Sequence, residues 1–268
     1  MERSPEPEED PVMDAVDAAL EGTVALVTGA SSGIGAATAE VLAAHGAAVA
    51  LVARRADRLE ELSARLNAAG GTALVIAADM AYEAQVREAV ERTVTELGRL
   101  DTLVNNAGLM ILGPAAAATT DEWRRMVDIN LTGLMNTTHA ALPHLAAAAA
   151  EGSRRVADVV NVSSVAGRVA FAGSSAYCAT KYGVVAFSEA LRQETAGRHV
   201  RVSVVEPGAV NTELREHNSP EVQEALTRRF GSIERLRARD VADTIGYVVT
   251  RPRHVAVAEL LVRPTEQV

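Results

Sequence analysis

Cysteine is nearly absent from this 268-residue chain, which contains only Cys178. A single cysteine cannot form an intrachain disulfide, so the composition favours a reducing, cytoplasmic setting over a disulfide-rich secreted one. The six histidines are scattered, and with one cysteine they form no cluster at zinc-ligand spacing. We therefore expect no metal site.

Excess positive charge and long apolar runs are also absent. The net charge is -9, and residues 1–20 hold seven acids and one arginine, so the remainder is nearly neutral. A nucleic acid or an anionic membrane surface would require a basic face, which this balance does not provide. No uninterrupted apolar run reaches the roughly 18 residues of a membrane span, and the N-terminus lacks the basic start of a secretory leader. We expect neither a nucleic-acid nor a membrane partner.

The length suits one large α/β domain. Residues 1–20 are rich in proline and acidic side chains, and the first part of this segment is too polar to pack. The sequence therefore predicts a disordered acidic extension over 1–20 and a single domain over 21–268.

Lysine is as scarce as cysteine, because Lys181 is the one lysine among 26 basic residues. It follows Tyr177 by four residues, a spacing that places both side chains on one face of a helix. A free phenol has a pKa of about 10, and a nearby ammonium favours its ionised form. The pair predicts a phenol tuned for acid/base chemistry. Taken alone, it is equally compatible with a half-buried aromatic beside a solvated lysine.

An apolar run over 156–162 precedes Ser164 and predicts a buried strand. Its carboxyl end would present the serine hydroxyl, and ligands bind at that edge of open parallel sheets. Ser164 and Tyr177 therefore belong to one candidate catalytic segment.

A glycine-rich turn follows the first predicted strand, 24–27, and precedes an alanine-rich helix. Gly29 permits a sharp turn, and Gly33 and Gly35 let backbone amides at the helix N-terminus approach a pyrophosphate. The same turn contains Ser31, Ser32 and Ile34. The pattern predicts a dinucleotide site, with an ordinary strand-to-helix turn as the alternative.

Two arginines, Arg54 and Arg55, end the second predicted strand, 48–53. A free ribose 2′-hydroxyl would be matched there by an acid, whereas a 2′-phosphate is matched by arginine. The sequence therefore favours NADP over NAD, with Arg54 as the first contact and Arg55 in support. The alternative is a pair of solvated arginines at a helix start.

Two further segments follow predicted strands over 72–77 and 100–104. Asp79 could bond an adenine amino group or cap a turn. Asn106, Ala107 and Gly108 can tie neighbouring loops and let a flat ring lie against the backbone. The apolar loop over 109–114 suits a substrate wall.

The second half of the chain adds three features. Asn130 lies on the apolar stripe of a long predicted helix, near 120 to 145 with a bend near Pro143, where a buried amide needs partners. The Pro207-Gly208 bend exposes backbone groups that could hold a carboxamide, and Thr212 adds a hydroxyl. Residues 213–236 are polar and helix-prone and predict a mobile substrate lid. A helix over 238–249 and a strand over 255–262 close the domain.

Taken together, these motifs resemble the classical short-chain dehydrogenase/reductase family. The resemblance covers about residues 20 to 262 in the family's order. It implies a single Rossmann-type α/β domain with a seven-stranded parallel sheet flanked by helices on both faces. Two helices, near 120–145 and 175–195, often build a tetramer in this family, so a homo-oligomer, tetramer or dimer, is expected.

The resemblance also implies a role for each site residue. Tyr177 would be the acid/base, and Ser164 would hold the carbonyl oxygen. Lys181 would bond the nicotinamide ribose and lower the pKa of Tyr177, while Asn130 would position a water that links the lysine to solvent. The implied NADP contacts are Gly29, Ser31, Ser32, Gly33, Ile34, Gly35, Arg54, Arg55, Asp79, Met80, Asn106, Ala107, Gly108, Tyr177, Lys181, Pro207, Gly208, Val210 and Thr212.

Within the family, the segment 106–114 and the C-terminal residues 263–268 look most like the NADP-dependent clavulanate-type aldehyde reductases of secondary metabolism. The acidic extension and the alanine-rich stretch near 146–152 depart from that type. The expected function is an NADPH-dependent reductase of a small, partly apolar ketone or aldehyde. The alternatives are an NAD-dependent alcohol dehydrogenase of the same fold and a non-catalytic NADP-sensing protein.

Overall fold

Seven parallel strands form one sheet in the computed structural model, which describes residues 19–267. The strands are β1 (Val24–Thr28), β2 (Ala48–Ala53), β3 (Ala73–Ala77), β4 (Thr102–Asn105), β5 (Ala157–Val162), β6 (Val200–Pro207) and β7 (Glu259–Val262). Their order across the sheet is β3-β2-β1-β4-β5-β6-β7, and every pair is parallel. The predicted seven-stranded parallel sheet is confirmed.

Eight α-helices connect these strands. They are α1 (Gly33–Ala44), α2 (Ala56–Ala68), α3 (Glu83–Leu97), α4 (Thr120–Val127), α5 (Gly133–Glu151), α6 (Ser175–Thr195), α7 (Pro220–Phe230) and α8 (Ala238–Val249). Within the described residues, none of these helices has the length and apolar content that a bilayer crossing requires.

The central strands are buried on both sides because helices cover both faces of the sheet. Alternate residues of β2 point to opposite faces: Val49 and Leu51 join a core with α1, α2 and α8, whereas Ala50 and Val52 join a core with α3, α5 and α6. This two-sided burial explains why the strands read as continuous apolar runs. The predicted layering, with helices on both faces, is confirmed.

The strand order reverses beside β1, since β2 lies on one side of it and β4 on the other. The chain after β1 and the chain after β4 therefore leave the sheet in opposite directions, which opens a crevice at the carboxyl edge. The glycine turn and the loop after β4 face each other there.

The long helix predicted near 120–145 is interrupted at Asn130, and not at Pro143. A π-helical turn, Asp128–Thr132, separates α4 from α5, and Pro143 lies inside α5. A π turn accommodates one additional residue and commonly marks a functional site. The alanine-rich stretch near 146–152 is helical through Glu151.

The ends of the domain differ from the predicted bounds. Of the predicted extension over 1–20, residues 1–18 lie outside the described part of the chain. Leu20, however, is fully buried, and its backbone N–H donates to the carbonyl of His45 at 2.9 Å. The packed domain therefore includes at least one residue before Glu21. At the other end, β7 covers only Glu259–Val262 of the strand predicted over 255–262.

Candidate active site

One cavity of about 580 Å³ opens at the carboxyl edge of the sheet. It gathers loops from β1, β2, β3, β4, β5 and β6. The predicted site residues that line it are Gly29, Ser31, Ser32, Gly33, Ile34, Arg54, Arg55, Asp79, Met80, Asn106, Ala107, Gly108, Ser164, Tyr177, Lys181, Pro207, Gly208, Val210 and Thr212. Gly35 and Asn130 are the two predicted residues that do not line it.

The turn after β1 needs glycine at two positions that line the cavity. Gly29 and Gly33 have φ of +68° and +57°, in the left-handed region that side chains disfavour. Gly33 is also the first residue of α1, so this turn places the positive end of a helix dipole at the cavity. The cradle fits a pyrophosphate.

Gly35 serves packing and not contact with a ligand. A Cβ there would lie 2.3 Å from the carbonyl oxygen of Gly29 and 2.5 Å from Nδ2 of Asn106. The helix can approach the turn only because this side chain is missing. The requirement for glycine was predicted, but its physical reason is helix packing.

Asn106 joins the loop after β4 to the turn after β1. Its Nδ2 donates to the carbonyls of Thr28 at 3.0 Å and Gly29 at 3.3 Å. The hydroxyl of Thr28 accepts in return from the backbone N–H groups of Asn106 and Ala107, both at 3.0 Å. These bonds hold the two walls of the crevice at a fixed separation.

Arg55 is the better-positioned arginine at the end of β2. Its guanidinium donates to the hydroxyls of Ser31 at 3.1 Å and Ser32 at 2.8 Å and to the carboxylate of Glu213 at 2.8 Å. Arg54 is exposed at the cavity rim. Both arginines line the cavity, and the contacts of Arg55 with Ser31 and Ser32 hold its guanidinium beside the glycine turn.

Glu213 is a site residue that the sequence did not reveal. Hydrogen bonds from Arg58 and Arg55 lower its pKa to about 2, so it is ionised at neutral pH. It occupies a donor of Arg55 that a phosphate could otherwise use. Its partners lie 155 and 158 residues away along the chain, so no local pattern signals the contact.

Tyr177 and Ser164 meet deep in the cavity. The Tyr177 side chain is buried, which raises the pKa of its phenol to about 12, while a hydrogen bond with Ser164 partly offsets that rise. Ser164 is fixed in turn, because its Oγ accepts from the backbone N–H of Ala166 at 3.1 Å. The phenol is therefore a neutral proton donor at physiological pH.

Lys181 lies one helical turn beyond Tyr177 on α6, as the spacing predicts. Its Nζ donates to the carbonyl of Val162 at 2.9 Å and lies 5.9 Å from the centre of the Tyr177 ring. Burial lowers the pKa of Lys181 to about 8. The pKa of Tyr177 is raised and not lowered, because burial of the phenol is its largest cause and the ammonium of Lys181 lies 5.9 Å from the ring centre.

Asn130 is buried in the π turn with its side-chain amide fully engaged. Its Oδ1 accepts from the N–H of Leu109 at 2.7 Å, and its Nδ2 donates to the carbonyl of Leu109 at 2.8 Å and the hydroxyl of Thr180 at 3.1 Å. The side chain thus ties the loop after β4 to α6, the helix that carries Tyr177.

The profile of the family described as short chain dehydrogenase matches residues 23–223. The chain belongs to this family. Its members are oxidoreductases that use a nicotinamide dinucleotide and act on small molecules.

One curated protein and two solved structures are similar to this short-chain dehydrogenase over most of its length. It is 41% identical over 251 residues to glycine betaine reductase ATRR of Emericella nidulans, covering 92% of this chain but 19% of that much longer protein. A short-chain dehydrogenase from Burkholderia cenocepacia in complex with NADP matches with a TM-score of 0.80 and 33% identity, over 91% of this chain and 97% of that one. A 3-ketoacyl-(acyl-carrier-protein) reductase from Brucella melitensis complexed with NADH matches with a TM-score of 0.82 and 30% identity, over 93% and 100%.

The substrate side of this short-chain dehydrogenase is largely apolar. Its wall is formed by Leu109, Met110, Leu112, Ile129, Val165, Val169, Phe171, Leu214, Leu226 and Phe230. The loop over 109–114 contributes three of these. Ile129 comes from the π turn, and the others come from the segment after Ser164 and from residues 213–236.

The segment predicted as a lid is a short 3₁₀ turn, Glu213–His217, followed by α7. Asn218 fastens it to the apolar loop: its Oδ1 accepts from the N–H of Leu112 at 2.7 Å, and its Nδ2 donates to the carbonyls of Met110 and Arg215, both at 3.0 Å. Sequence reasoning missed Asn218, because its partners on the loop lie more than 100 residues away.

The C-terminal residues support the turn after β6. Oε1 of Gln267 accepts from the N–H of Ala209 at 2.8 Å, and a Cβ on Gly208 would lie 2.2 Å from that oxygen. Gly208 therefore allows the C-terminus to contact the turn closely. Within residues 19–267, no group of three or more His, Cys, Asp or Glu side chains is arranged to hold a metal ion.

Proposed function

We propose that this chain is an NADPH-dependent reductase that transfers hydride to the ketone or aldehyde carbonyl of a small, partly apolar substrate, of the kind met in secondary metabolism. The observation that carries the proposal is the position of the Tyr177 phenol, which is neutral, buried and bonded to Ser164 in the same cavity as the glycine turn. A carbonyl between them would meet a proton donor and a second hydroxyl.

The cavity fits NADPH at each of its polar parts. The turn with Gly29 and Gly33 suits the pyrophosphate, and Asp79 suits the adenine. Arg55, with Ser31 and Ser32, suits a ribose 2′-phosphate, because guanidinium binds phosphate through paired charge-assisted hydrogen bonds. Pro207, Gly208, Val210 and Thr212 suit the carboxamide. When bound, NADPH supplies the hydride.

The protein's own part in the reaction is to hold the carbonyl and to deliver a proton. Ser164 donates to the carbonyl oxygen, and Tyr177 transfers its proton to that oxygen as negative charge develops. Lys181 holds the nicotinamide ribose, and its charge stabilises the phenolate that remains after transfer. General acid catalysis of this kind contributes about 100- to 10,000-fold to a rate.

Reprotonation of Tyr177 requires a path to solvent. We assign Asn130 to that path as a positioning residue for a water that links Lys181 to solvent. Its side chain bonds Leu109 and Thr180, so it holds α6 and the loop after β4 in register around the lysine.

An NAD-dependent alcohol dehydrogenase is the second candidate. Glu213 favours it, because this carboxylate bonds the same Arg55 that would bind a 2′-phosphate. The NADH complex of the Brucella melitensis relative favours it as well. Titration of the purified enzyme with NADPH and NADH separates the two candidates. Tighter binding of NADH would overturn the NADP assignment.

The test of the proposed chemistry is NADPH consumption with a panel of aldehydes and ketones. We expect turnover with at least one carbonyl, loss of turnover in Tyr177→Phe, and NADPH binding retained in that variant. Tyr182→Phe is the matched control, because Tyr182 is an exposed tyrosine on the same helix that does not line the cavity. An active Tyr177→Phe enzyme would overturn the mechanism, and binding without any turnover would favour a sensor.

We further propose a homo-oligomer, tetramer or dimer, in the cytoplasm. Large apolar side chains are exposed on α4, α5 and α6, namely Trp123, Val127, Met135 and Tyr182. Exposed large apolar side chains on neighbouring helices are typical of surfaces that are covered by a partner. The single, buried Cys178 supports a reducing compartment. Light scattering on the purified protein measures the mass; a monomer would overturn the first assignment.

A further inference from the structure

Two arginines line the substrate side of the cavity without a carboxylate partner. Arg215 lies in the 3₁₀ turn Glu213–His217, and Arg235 lies between α7 and α8. Both are partly buried. Among the described residues, no carboxylate lies within ion-pair distance of either guanidinium, although most other buried or half-buried arginines of the chain have one.

The backbone around Arg235 is fixed beside the turn after β6. The N–H of Leu236 donates to the carbonyl of Ala209 at 3.0 Å, and the carbonyl of Leu236 accepts from the N–H of Asn211 at 2.8 Å. The Arg235 side chain is directed by a 3.4 Å bond from its Nε to the carbonyl of Phe230. Arg235 is therefore held next to the residues that suit the nicotinamide carboxamide.

The backbone of Arg215 is fixed through Asn218 to the loop over 109–114. Its carbonyl accepts from Nδ2 of Asn218, whose own oxygen is bonded to the loop over 109–114. Arg215 and Arg235 line the same cavity, and in keeping with this, burial and the charge of Arg215 lower the pKa of Arg235. Bringing like charges together at a half-buried position is costly unless an anion joins them.

The acidic residues of the cavity are engaged elsewhere. Glu213 is bonded to Arg55 and Arg58 at the end of β2, and Asp79 accepts from the N–H of Ala81. Neither is available to neutralise Arg215 or Arg235. The cations at the other end of the cavity, Arg54 and Arg55, suit the 2′-phosphate, which leaves Arg215 and Arg235 without an assigned anion.

We propose that the carbonyl substrate carries a carboxylate, and that Arg215 and Arg235 bind it at the lid side of the cavity. Guanidinium groups match a carboxylate through paired hydrogen bonds. The cavity that these arginines share with Tyr177 has many apolar lining residues, with Leu214, Leu226 and Phe230 among them. The substrate class is therefore an oxo acid in which an apolar carbon segment separates the reacting carbonyl from the carboxylate. This inference rests on the proposed reductase function.

The test compares straight-chain ω-oxo acids of increasing length with the methyl ester of each acid, using NADPH consumption by the intact enzyme. We expect kcat/KM for the best acid to exceed that for its ester by about 10- to 150-fold, the range that loss of one charge-assisted hydrogen bond produces. Arg235→Gln should remove this preference by lowering kcat/KM for the acids toward that for the esters. Arg228→Gln is the matched control, because Arg228 is an exposed arginine of α7 paired with Glu224 and does not line the cavity.

A second measurement, of ligand binding, tests the inference without requiring turnover. Calorimetry follows the binding of unreactive straight-chain carboxylates, and of their methyl esters, to the enzyme loaded with NADPH. If the acids bind more tightly than the esters, and Arg235→Gln loses this difference, the inference is supported. It is supported even if no carbonyl is reduced, and in that case only the proposed reductase function fails. Equal affinity for acids and esters overturns the inference while the reductase function stands. Weaker binding of NADPH by Arg235→Gln, with the acid preference unchanged, would also overturn it, because the arginine would then bind the cofactor.

Discussion

Replacing Arg55 with glutamine tests the cofactor assignment through a single contact. Arg55 lines the cavity, and its guanidinium donates to the hydroxyls of Ser31 and Ser32. Its Nη1 also donates to the carboxylate of Glu213 at 2.8 Å. Hydrogen bonds to charged groups contribute about 1.5–3 kcal/mol each, which corresponds to a roughly 10- to 150-fold loss of affinity when one is removed. Displacing Glu213 offsets little of this, because exposed ion pairs contribute about 0–1 kcal/mol.

We therefore expect Arg55→Gln to weaken NADPH binding by about 10- to 150-fold and to leave NADH binding unchanged, since NADH has no 2′-phosphate. Fluorescence titration of both cofactors against wild type and variant measures this. Arg58→Gln is the matched control, because Arg58 bonds the same Glu213 but does not line the cavity. Equal weakening of both cofactors in Arg55→Gln would refute the assignment of Arg55 to the phosphate.

Three further predictions concern stability and the lid. Burial lowers the pKa of Lys181 from 10.5 to about 8, so the unfolded chain binds more protons than the folded chain between these pH values. The free energy of unfolding should therefore rise by up to about 3 kcal/mol from pH 8 to pH 10.5, relative to Lys181→Met. Urea denaturation of both proteins at each pH measures this. Equal pH profiles for the two proteins would contradict the buried ammonium. Gly35→Ala should lower the free energy of unfolding by about 1–3 kcal/mol through overpacking. Gly197→Ala is the control and should change it little, because a Cβ at Gly197 has open space around it. An unchanged free energy of unfolding in Gly35→Ala would contradict the close approach of α1 to the turn. Asn218→Ala should accelerate hydrogen exchange over 213–217, because three bonds to the lid and the apolar loop are lost, and unchanged exchange would show that Asn218 does not fasten the segment.

The parts of the molecule that follow from local sequence were predicted well. The strands are short apolar runs, and the glycine turn needs left-handed backbone at Gly29 and Gly33, so both are visible along the chain. Tyr177 and Lys181 are four residues apart, and helix geometry alone places them on one face. Such features depend on neighbours within a few residues.

The parts that depend on distant contacts were missed or misjudged. Glu213 and Asn218 owe their positions to partners more than 100 residues away, so neither stands out in the sequence. The sequence suggested a bend near Pro143 in the long helix but gave no sign of the π turn at Asn130, whose amide is held by Leu109. A proline can be read directly from the sequence, whereas the packing that selects a π turn cannot.

The pKa of Tyr177 shows the same limit for electrostatics. The spacing to Lys181 suggested a lowered pKa, but the direction depends on burial, which is a property of the whole fold. A raised pKa keeps the phenol protonated at neutral pH, as a proton donor to a carbonyl must be.

The central claim is that hydride and proton reach the same carbonyl in this cavity, with the proton coming from Tyr177. The most direct test is reduction of an accepted carbonyl with NADPH deuterated on the transferred position of C4, followed by mass spectrometry of the alcohol. The account predicts one deuterium on the carbinol carbon with the wild-type enzyme and with Tyr182→Phe, and no alcohol above background with Tyr177→Phe. Alcohol formed without deuterium, or formed equally well by Tyr177→Phe, would contradict it.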